Sequence, residues 1–559
     1  MEQRWNRPIT IKGIFSMDKR TILALILIFV VFFISSKFLW KQPAPPQQQT
    51  TTQQKETVQE KPKKTEPVNA EMKEVDTGTF ITDTAVERND KLILENDNIR
   101  AIFTNKGGNI RQVILKNIMA ETKDKSVELF ITEKGMFNTI IYTSSDTINV
   151  GKQYLEYAQD EFSITFFIQK DGKRVFEKIY AIENDYTIQA RIKADELGFI
   201  DSYDLELDAG IYYDKEDDKR YATYIDAVAY SDNEVRKVNL KKAAEGQNLV
   251  GNITWTVLKS KYFMIAAIPE RTVKLRELNV TAENSSIQET LSIDTGRSNI
   301  DHSYILYCGP VDYDNLRSFN IGLEEAMSFG WKLLRPISKL ILRLLKFLYS
   351  LIPNYGMAII ILSIILKLIF YPLTHKSFSS AQKMQQVQPL LKEVQQKYKG
   401  DPQKLNQETM KLYKEHGVSP LGGCLPLLIQ FPVLFALYPV LQSTIELRHA
   451  TFMLWIQDLS IPDPYYILPI LMGITMFIQQ KLMSRTPTPD MDEKQLAQLK
   501  TQKFMMYGMP IFFVFIFRSL PAGLVLYWFT YNVLSVFEQL NIRKKSQPIT
   551  GKEIKVEKK

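Results

Sequence analysis

Five apolar runs, at about residues 21 to 39, 353 to 374, 421 to 443, 464 to 481 and 504 to 537, constrain this chain more than anything else in it. About 20 apolar residues at 1.5 Å each cross a hydrocarbon core of about 30 Å. The last run would be about 50 Å long as one helix, so it reads as a hairpin broken at Arg518-Ser-Leu-Pro-Ala-Gly523, which puts a charge, a proline and a glycine where a tight turn needs them. Six spans follow. Composition hides them: 45% hydrophobic and 24% charged residues over 559 positions looks soluble, because the polar stretch from about 41 to 320 dilutes the signal.

Charge placement orients the spans. Arg4, Arg7, Lys12, Lys19 and Arg20 precede the first run, the 375 to 420 loop carries eight Lys, and the 482 to 503 loop carries Arg485, Lys494, Lys500 and Lys503. The 444 to 463 loop, by contrast, has Arg448 as its one Lys or Arg. Both termini are therefore expected in the cytoplasm. The first run is long for a signal-peptide core, and Phe38-Leu39-Trp40 is a poor cleavage site, so an uncleaved anchor is favoured over a cleaved leader. Translation could start at Met1 or Met17. Cys308 and Cys424 fall on opposite sides of the membrane in this topology, which excludes a disulfide framework, and Cys424 reads as a small packing residue.

Between the first and second runs lies a different kind of chain. Residues 41 to 85 are rich in Pro, Gln, Thr and Lys and read as a disordered tether. From 86 to 320, short alternating stretches such as SITFFIQKDGKRVFEKIYAI, with a hairpin signal at Lys170-Asp-Gly-Lys173, predict one large antiparallel β-sandwich. It holds one histidine, His302, and its many acids read as a solvated surface, with a glycan-binding or catalytic cleft as the alternative. From Trp331 to Leu348, basic residues recur every three or four positions opposite leucines and isoleucines, so 321 to 352 should contain an amphipathic helix lying in the interface plane.

Within the second run, YGMAIIILSIILKLIFY, Lys367 is the lone ion, with no acid in the same run. A lysine at membrane depth either snorkels to the interface or marks a functional, wet interior. Ser363 one turn earlier and Gln430 inside another apolar run fit the second reading. Residues 376 to 416 read as a cytoplasmic helical hairpin, with Ala381, Met384, Val387, Leu391, Val394 and Tyr398 at helical spacing. Gly400-Asp401-Pro402 supplies a stop, a cap and a first-turn proline. A solvated hairpin with no substrate contact is the alternative. Pro426, Pro432 and Pro439 are expected to bend the 421 to 443 span. The basic segment 541 to 559 could contact anionic lipid or RNA phosphates.

NYGMAIIILSIILKLIFYPLTHKSFSSAQKMQQVQPLL, YKEHGVSPLGGCLPLLIQFPVLFALYPVL, LWIQDLSIPDPYYILPILMGITMF and LPAGLVLYWFTYNVLSVFEQ resemble the YidC/Oxa/Alb3 membrane protein insertases. The anchor plus β-domain layout resembles the Gram-negative type. The resemblance implies a polytopic α-helical membrane protein, with six transmembrane helices, a five-helix insertase core at 353 to 540 and a periplasmic β-sandwich. It further implies a protein that is not an enzyme, uses no cofactor or metal, sits in the bacterial inner membrane and acts on nascent membrane proteins, alone or beside the Sec translocon. The ribosome, through the hairpin and basic tail, and membrane lipids are further partners that the resemblance leads one to expect. The family's groove, open to cytoplasm and lipid, carries one positive residue, usually Arg, and Lys367 matches that position. Lysine keeps the charge but loses the bidentate fork, which favours simple attraction over tight carboxylate pairing. By position, Ser363, Gln430, Trp528 and Asn532 line the groove, with Tyr527 beside it. A secondary transporter or channel would show paired inverted repeats, and none is evident; a membrane-anchored glycan-acting enzyme would need convergent acids in the β-domain.

Overall fold

The computed structural model describes residues 92–120, 124–183, 185–208, 210–212, 223–283, 286–398, 400–418, 425–483 and 493–545. The first run, the tether, Cys424, Pro426's side chain and the tail beyond 545 lie outside the described residues. The described residues fall into two compact units, one within 70–329 and one built from 330–442 and 447–559.

The first unit is all antiparallel strand, apart from short helical turns. Alternation dictates it: along Ile200–Asp208, Ile200, Tyr203, Leu205 and Leu207 point inward while the residues between them stay partly exposed. Ser163–Lys170 and Lys173–Ile182 join through Asp171 and Gly172, both with positive φ (53° and 78°), as a two-residue turn of right-handed strand twist requires. There are three sheets. A four-stranded sheet runs in chain order from Ile93–Glu95 to Ser126–Met136. A nine-stranded sheet has Phe263–Pro269, Ile300–Pro310 and Thr187–Ala194 at its centre, and a six-stranded sheet is centred on Ser286–Asp294 and Ile200–Asp208. One continuous apolar core joins all three, as expected of a sandwich.

Polar groups cross that core at three places. Tyr203 of the six-stranded sheet meets Tyr304 of the nine-stranded sheet through their hydroxyls, and also bonds His302 Nδ1 at 2.7 Å. Thr256 Oγ1 donates to Glu289 Oε2 at 2.8 Å between the same two sheets. Lys178 is fully buried, and its ammonium donates to Gly107 O, Asn109 Oδ1 and Phe137 O, each at 2.9 Å.

The second unit is helical. Its helices are α1 (Arg335–Leu351), α2 (Tyr355–Lys397), α3 (Pro402–Glu415), α4 (Leu425–Ser443), α5 (Ile467–Met483), α6 (Glu493–Phe517) and α7 (Ala522–Lys545). α7 packs on α2 and α5, α6 on α5, and α1 on α2. α1 buries Ile341, Leu342, Leu345 and Leu348, while Leu340 and Phe347, and Leu333 just before it, are exposed. Ser338 Oγ ties α1 to α4 by donating to Ala436 O at 2.9 Å. The 504 to 537 run is indeed two helices, broken between Phe517 and Ala522. That break is held by Ala522 N–H on Ile461 O (2.8 Å) and Gly523 N–H on Leu459 O (2.9 Å).

One boundary differs from the sequence reading. The 353 to 374 span and the first arm of the 376 to 416 hairpin are a single 43-residue helix, α2, with Pro372 and Pro389 inside it. Each proline removes one N–H, and no glycine or asparagine follows Pro372 to stop the helix before Tyr398. The hairpin turn is where the sequence places it: Asp401 caps α3 by accepting from Gln403 N–H (3.1 Å) and Lys404 N–H (3.0 Å). Val387, Val394, Leu412 and Val418 form its small core. Pro432 and Pro439 lie inside α4. Among the described residues, one stretch, Tyr355–Val387, is long and apolar enough to cross a membrane by length and composition; Ile467–Leu482 and Met506–Phe517 are shorter apolar helices.

Candidate functional site

Lys367 and Glu538 are the only formal charges in Tyr355–Tyr371 of α2 and in residues 522–542 of α7 respectively, and the fold brings them together. Both helices keep long apolar stretches and pack side by side, so each ion faces the other helix. The Lys367 ammonium lies 2.7 Å from Glu538 Oε2 and donates to Ser535 Oγ at 2.8 Å. Both side chains are almost wholly enclosed, at 7% and 4% exposure. The Tyr531 ring lies 4.6 Å from the ammonium and the Phe378 ring 5.5 Å, which adds cation–π attraction. Thr374 Oγ1 lies 3.1 and 3.3 Å from the two carboxylate oxygens of Glu538, and Ser535 Oγ donates onward to Tyr531 O at 2.9 Å.

The partner is a carboxylate of the chain itself, met at one oxygen without the fork an arginine would offer. One N–H on one oxygen needs no planar fork, and burial makes the pairing necessary: an unpaired ion inside a protein costs several kcal/mol. The ammonium ends on Glu538 inside the unit.

Gln430 of α4 donates from Nε2 to the hydroxyl of the fully buried Tyr527 at 3.0 Å. The Tyr527 and Tyr531 ring centroids are 6.2 Å apart, so Tyr527, Tyr531, Ser535 and Glu538 form one stripe at helical spacing along α7. Trp528 and Asn532 lie on the neighbouring face. Trp528 packs against Phe513 and Phe517 of α6, and neither its indole N–H nor Asn532 Nδ2 has a hydrogen-bond partner among the described residues, although both residues are buried. Ser363 is buried on the Lys367 face, but its hydroxyl turns back to Ile359 O at 2.7 Å and offers no donor to the cluster.

The sequence reading missed Glu538, Ser535, Thr374 and Tyr531. The first had a signal: a sole acid in one apolar helix is the natural counterpart of a sole cation in another. The other three are ordinary residues whose roles come from position alone. A small cleft lined by Phe378, Gln382, Gln385, Gln539 and Arg543 opens beside the cluster, and Phe378 belongs to both.

Comparison with known proteins covers both units. The family model described as 60Kd inner membrane protein matches residues 347–549, and the model described as YidC periplasmic domain matches 91–344. A membrane protein insertase YidC from Syntrophus aciditrophicus is 34% identical over 559 residues, covering 95% of this chain and all of that one. Its namesake from Geotalea daltonii is 36% identical over 81% of this chain and 86% of its own length. The namesake from Geobacter metallireducens reaches 46% over 52% of each chain.

Proposed function

The chain belongs to the YidC family of membrane protein insertases, and from that premise we propose that its helical unit moves substrate segments into the bilayer through the polar interior centred on Lys367. The protein is an inner-membrane insertase with a periplasmic β-sandwich, acts on nascent membrane proteins, and is not an enzyme. In the finer reading there are six spans, both termini are cytoplasmic, and a polar groove opens to cytoplasm and lipid. Lys367, Gln430, Tyr527, Trp528 and Asn532 line that groove, with Ser363 shaping its wall.

One observation carries this reading: an ion pair, a hydroxyl network and two unpartnered donors are buried between helices of apolar sequence. Such polarity is costly in a packed helical core, so it belongs where polar cargo passes. A substrate's polar flank gains partners in the groove while its apolar helix leaves sideways for lipid. Burying that helix drives the step at roughly 25 cal/mol per Å². The Sec translocon is an expected companion, and the ribosome is an expected contact of the α2–α3 hairpin and the basic tail.

Complementation of an insertase-depleted bacterium tests the reading, with wild type, Lys367→Arg, Lys367→Ala and Lys367→Glu at matched membrane levels. Wild type and Arg should rescue, with Ala and Glu failing for some or all substrates. Full rescue by all four would remove Lys367 from the mechanism, and no rescue by well-expressed wild type would remove the insertase reading for this chain.

A further inference from the structure

Glu538 sits where an incoming carboxylate would have to bind. The Lys367 ammonium has one short contact with a carboxylate and one with a hydroxyl, and its remaining surroundings are the Tyr531 and Phe378 rings. No second cation pairs with Glu538 among the described residues; its other partner is neutral, the Thr374 hydroxyl. The cleft that shares Phe378 is lined by Gln382, Gln385, Gln539 and Arg543 together with Ala381, Leu482 and Ile542.

We propose that Glu538 is a resident counter-anion that holds the docking position on Lys367, so that an acidic substrate segment binds by exchanging its carboxylate for that of Glu538. The proposal rests on the insertase reading and adds a determinant of substrate charge preference. Two consequences follow from the chemistry. The attraction an acidic segment experiences is the difference between two carboxylate–ammonium pairs, so selectivity for acid is modest and release is not blocked by a trapped ion pair. A segment without acids leaves the resident pair closed and meets no unpaired buried charge. Thr374, which contacts both oxygens of Glu538, gives the displaced carboxylate a hydrogen bond to keep as it swings away from the ammonium.

The test uses the full chain in proteoliposomes and two single-span substrates that differ only in the translocated tail, one with two Asp and one with two Asn. Protease protection gives initial insertion rates, and the acidic-to-neutral ratio is read within each variant, which cancels differences in the amount of active protein. In Glu538→Gln the ratio should rise about fivefold to tenfold over wild type, since nothing competes for the ammonium. In Lys367→Gln and in Lys367→Gln/Glu538→Gln alike it should fall to about one, because no ammonium is left for an acid to reach and an unpaired buried carboxylate takes up a proton. Glu538→Asp should stay near wild type. Should Glu538→Gln fail to accumulate, Lys367→Gln still decides: a ratio that stays at the wild-type value there would overturn the proposal. An unchanged or lowered ratio in Glu538→Gln would overturn it too. Failure of wild type to insert either substrate would instead defeat the insertase reading.

Discussion

Glu289 and Lys178 are buried in one β-core, and their titrations pull its stability in opposite directions. Burial pushes Glu289 up to about 8, against the Thr256 hydrogen bond that favours its charged form. An unfolded glutamate titrates near ~4.3, so between there and about 8 the folded state holds a proton that the unfolded state has released, and stability falls as pH rises. Burial pushes Lys178 down to about 7, whereas an unfolded lysine titrates near ~10.4, so across that window the unfolded state holds the extra proton and stability rises with pH. The β-unit should be least stable between about 7 and 8, where the two slopes meet. Hydrogen exchange of the Ser286–Asp294 amides, corrected for intrinsic rate, should show that minimum, and Glu289→Gln should abolish the falling limb while leaving the rise. A profile with the falling limb intact in Glu289→Gln would assign it to other groups. None of this was legible in the sequence, where Glu289 and Lys178 are two charges among many on alternating strands. Lys367 was legible for the opposite reason, since an apolar run leaves a charge nowhere to hide; its partner was not, because Glu538 comes from a different run.

At the scale of the element, the α2–α3 hairpin shows which boundaries a sequence can mark. Gly400-Asp401-Pro402 combines a stop, a cap and a ring-fixed first turn, three local devices, and the turn falls there. The junction near residue 375 has no such device: apolar residues give way to Lys, Ser and Gln, a change of solvent and not of backbone conformation, and α2 continues through it. Pro372 lies inside α2 without ending it, since helix packing tolerates the one lost N–H. The hairpin's core is small, resting on Val387, Val394, Leu412 and Val418, so its turn should matter to it. Asp401→Ala removes the acceptor of two backbone N–H groups and should cost ~1 kcal/mol, which is about fivefold faster amide exchange across α3. Asp401→Asn should restore most of that protection. If Ala and wild type exchange alike, the apolar contacts alone hold the hairpin.

The whole molecule divides its labour between two units, each with its own core and its own matched family model. The layout was readable from the alternation of polar and apolar blocks, and so was the sandwich, from strand length and turn chemistry. Strand order was not: the nine-stranded sheet sets Thr187–Ala194 beside Ile300–Pro310, a pairing across more than a hundred residues that no local pattern encodes. The β-unit's single histidine is engaged by the Tyr203 hydroxyl, and beside it Asp301 pairs with Arg191, so its most chemistry-bearing corner is occupied with holding strands together. The buried ion pair and the unpartnered donors belong to the helical unit instead. A variant lacking residues 91–329, with the first run and tether retained, should therefore keep insertion of a simple single-span substrate within about twofold, since units with separate cores fold and act separately. The assay is the same protease protection in proteoliposomes, with Lys367→Glu in the shortened chain as the matched negative. Activity that survives the deletion and is lost with Lys367→Glu locates the function in the helices. Loss of all insertion from a shortened chain whose helical unit still resists proteolysis would mean that the sandwich takes part in the transfer itself.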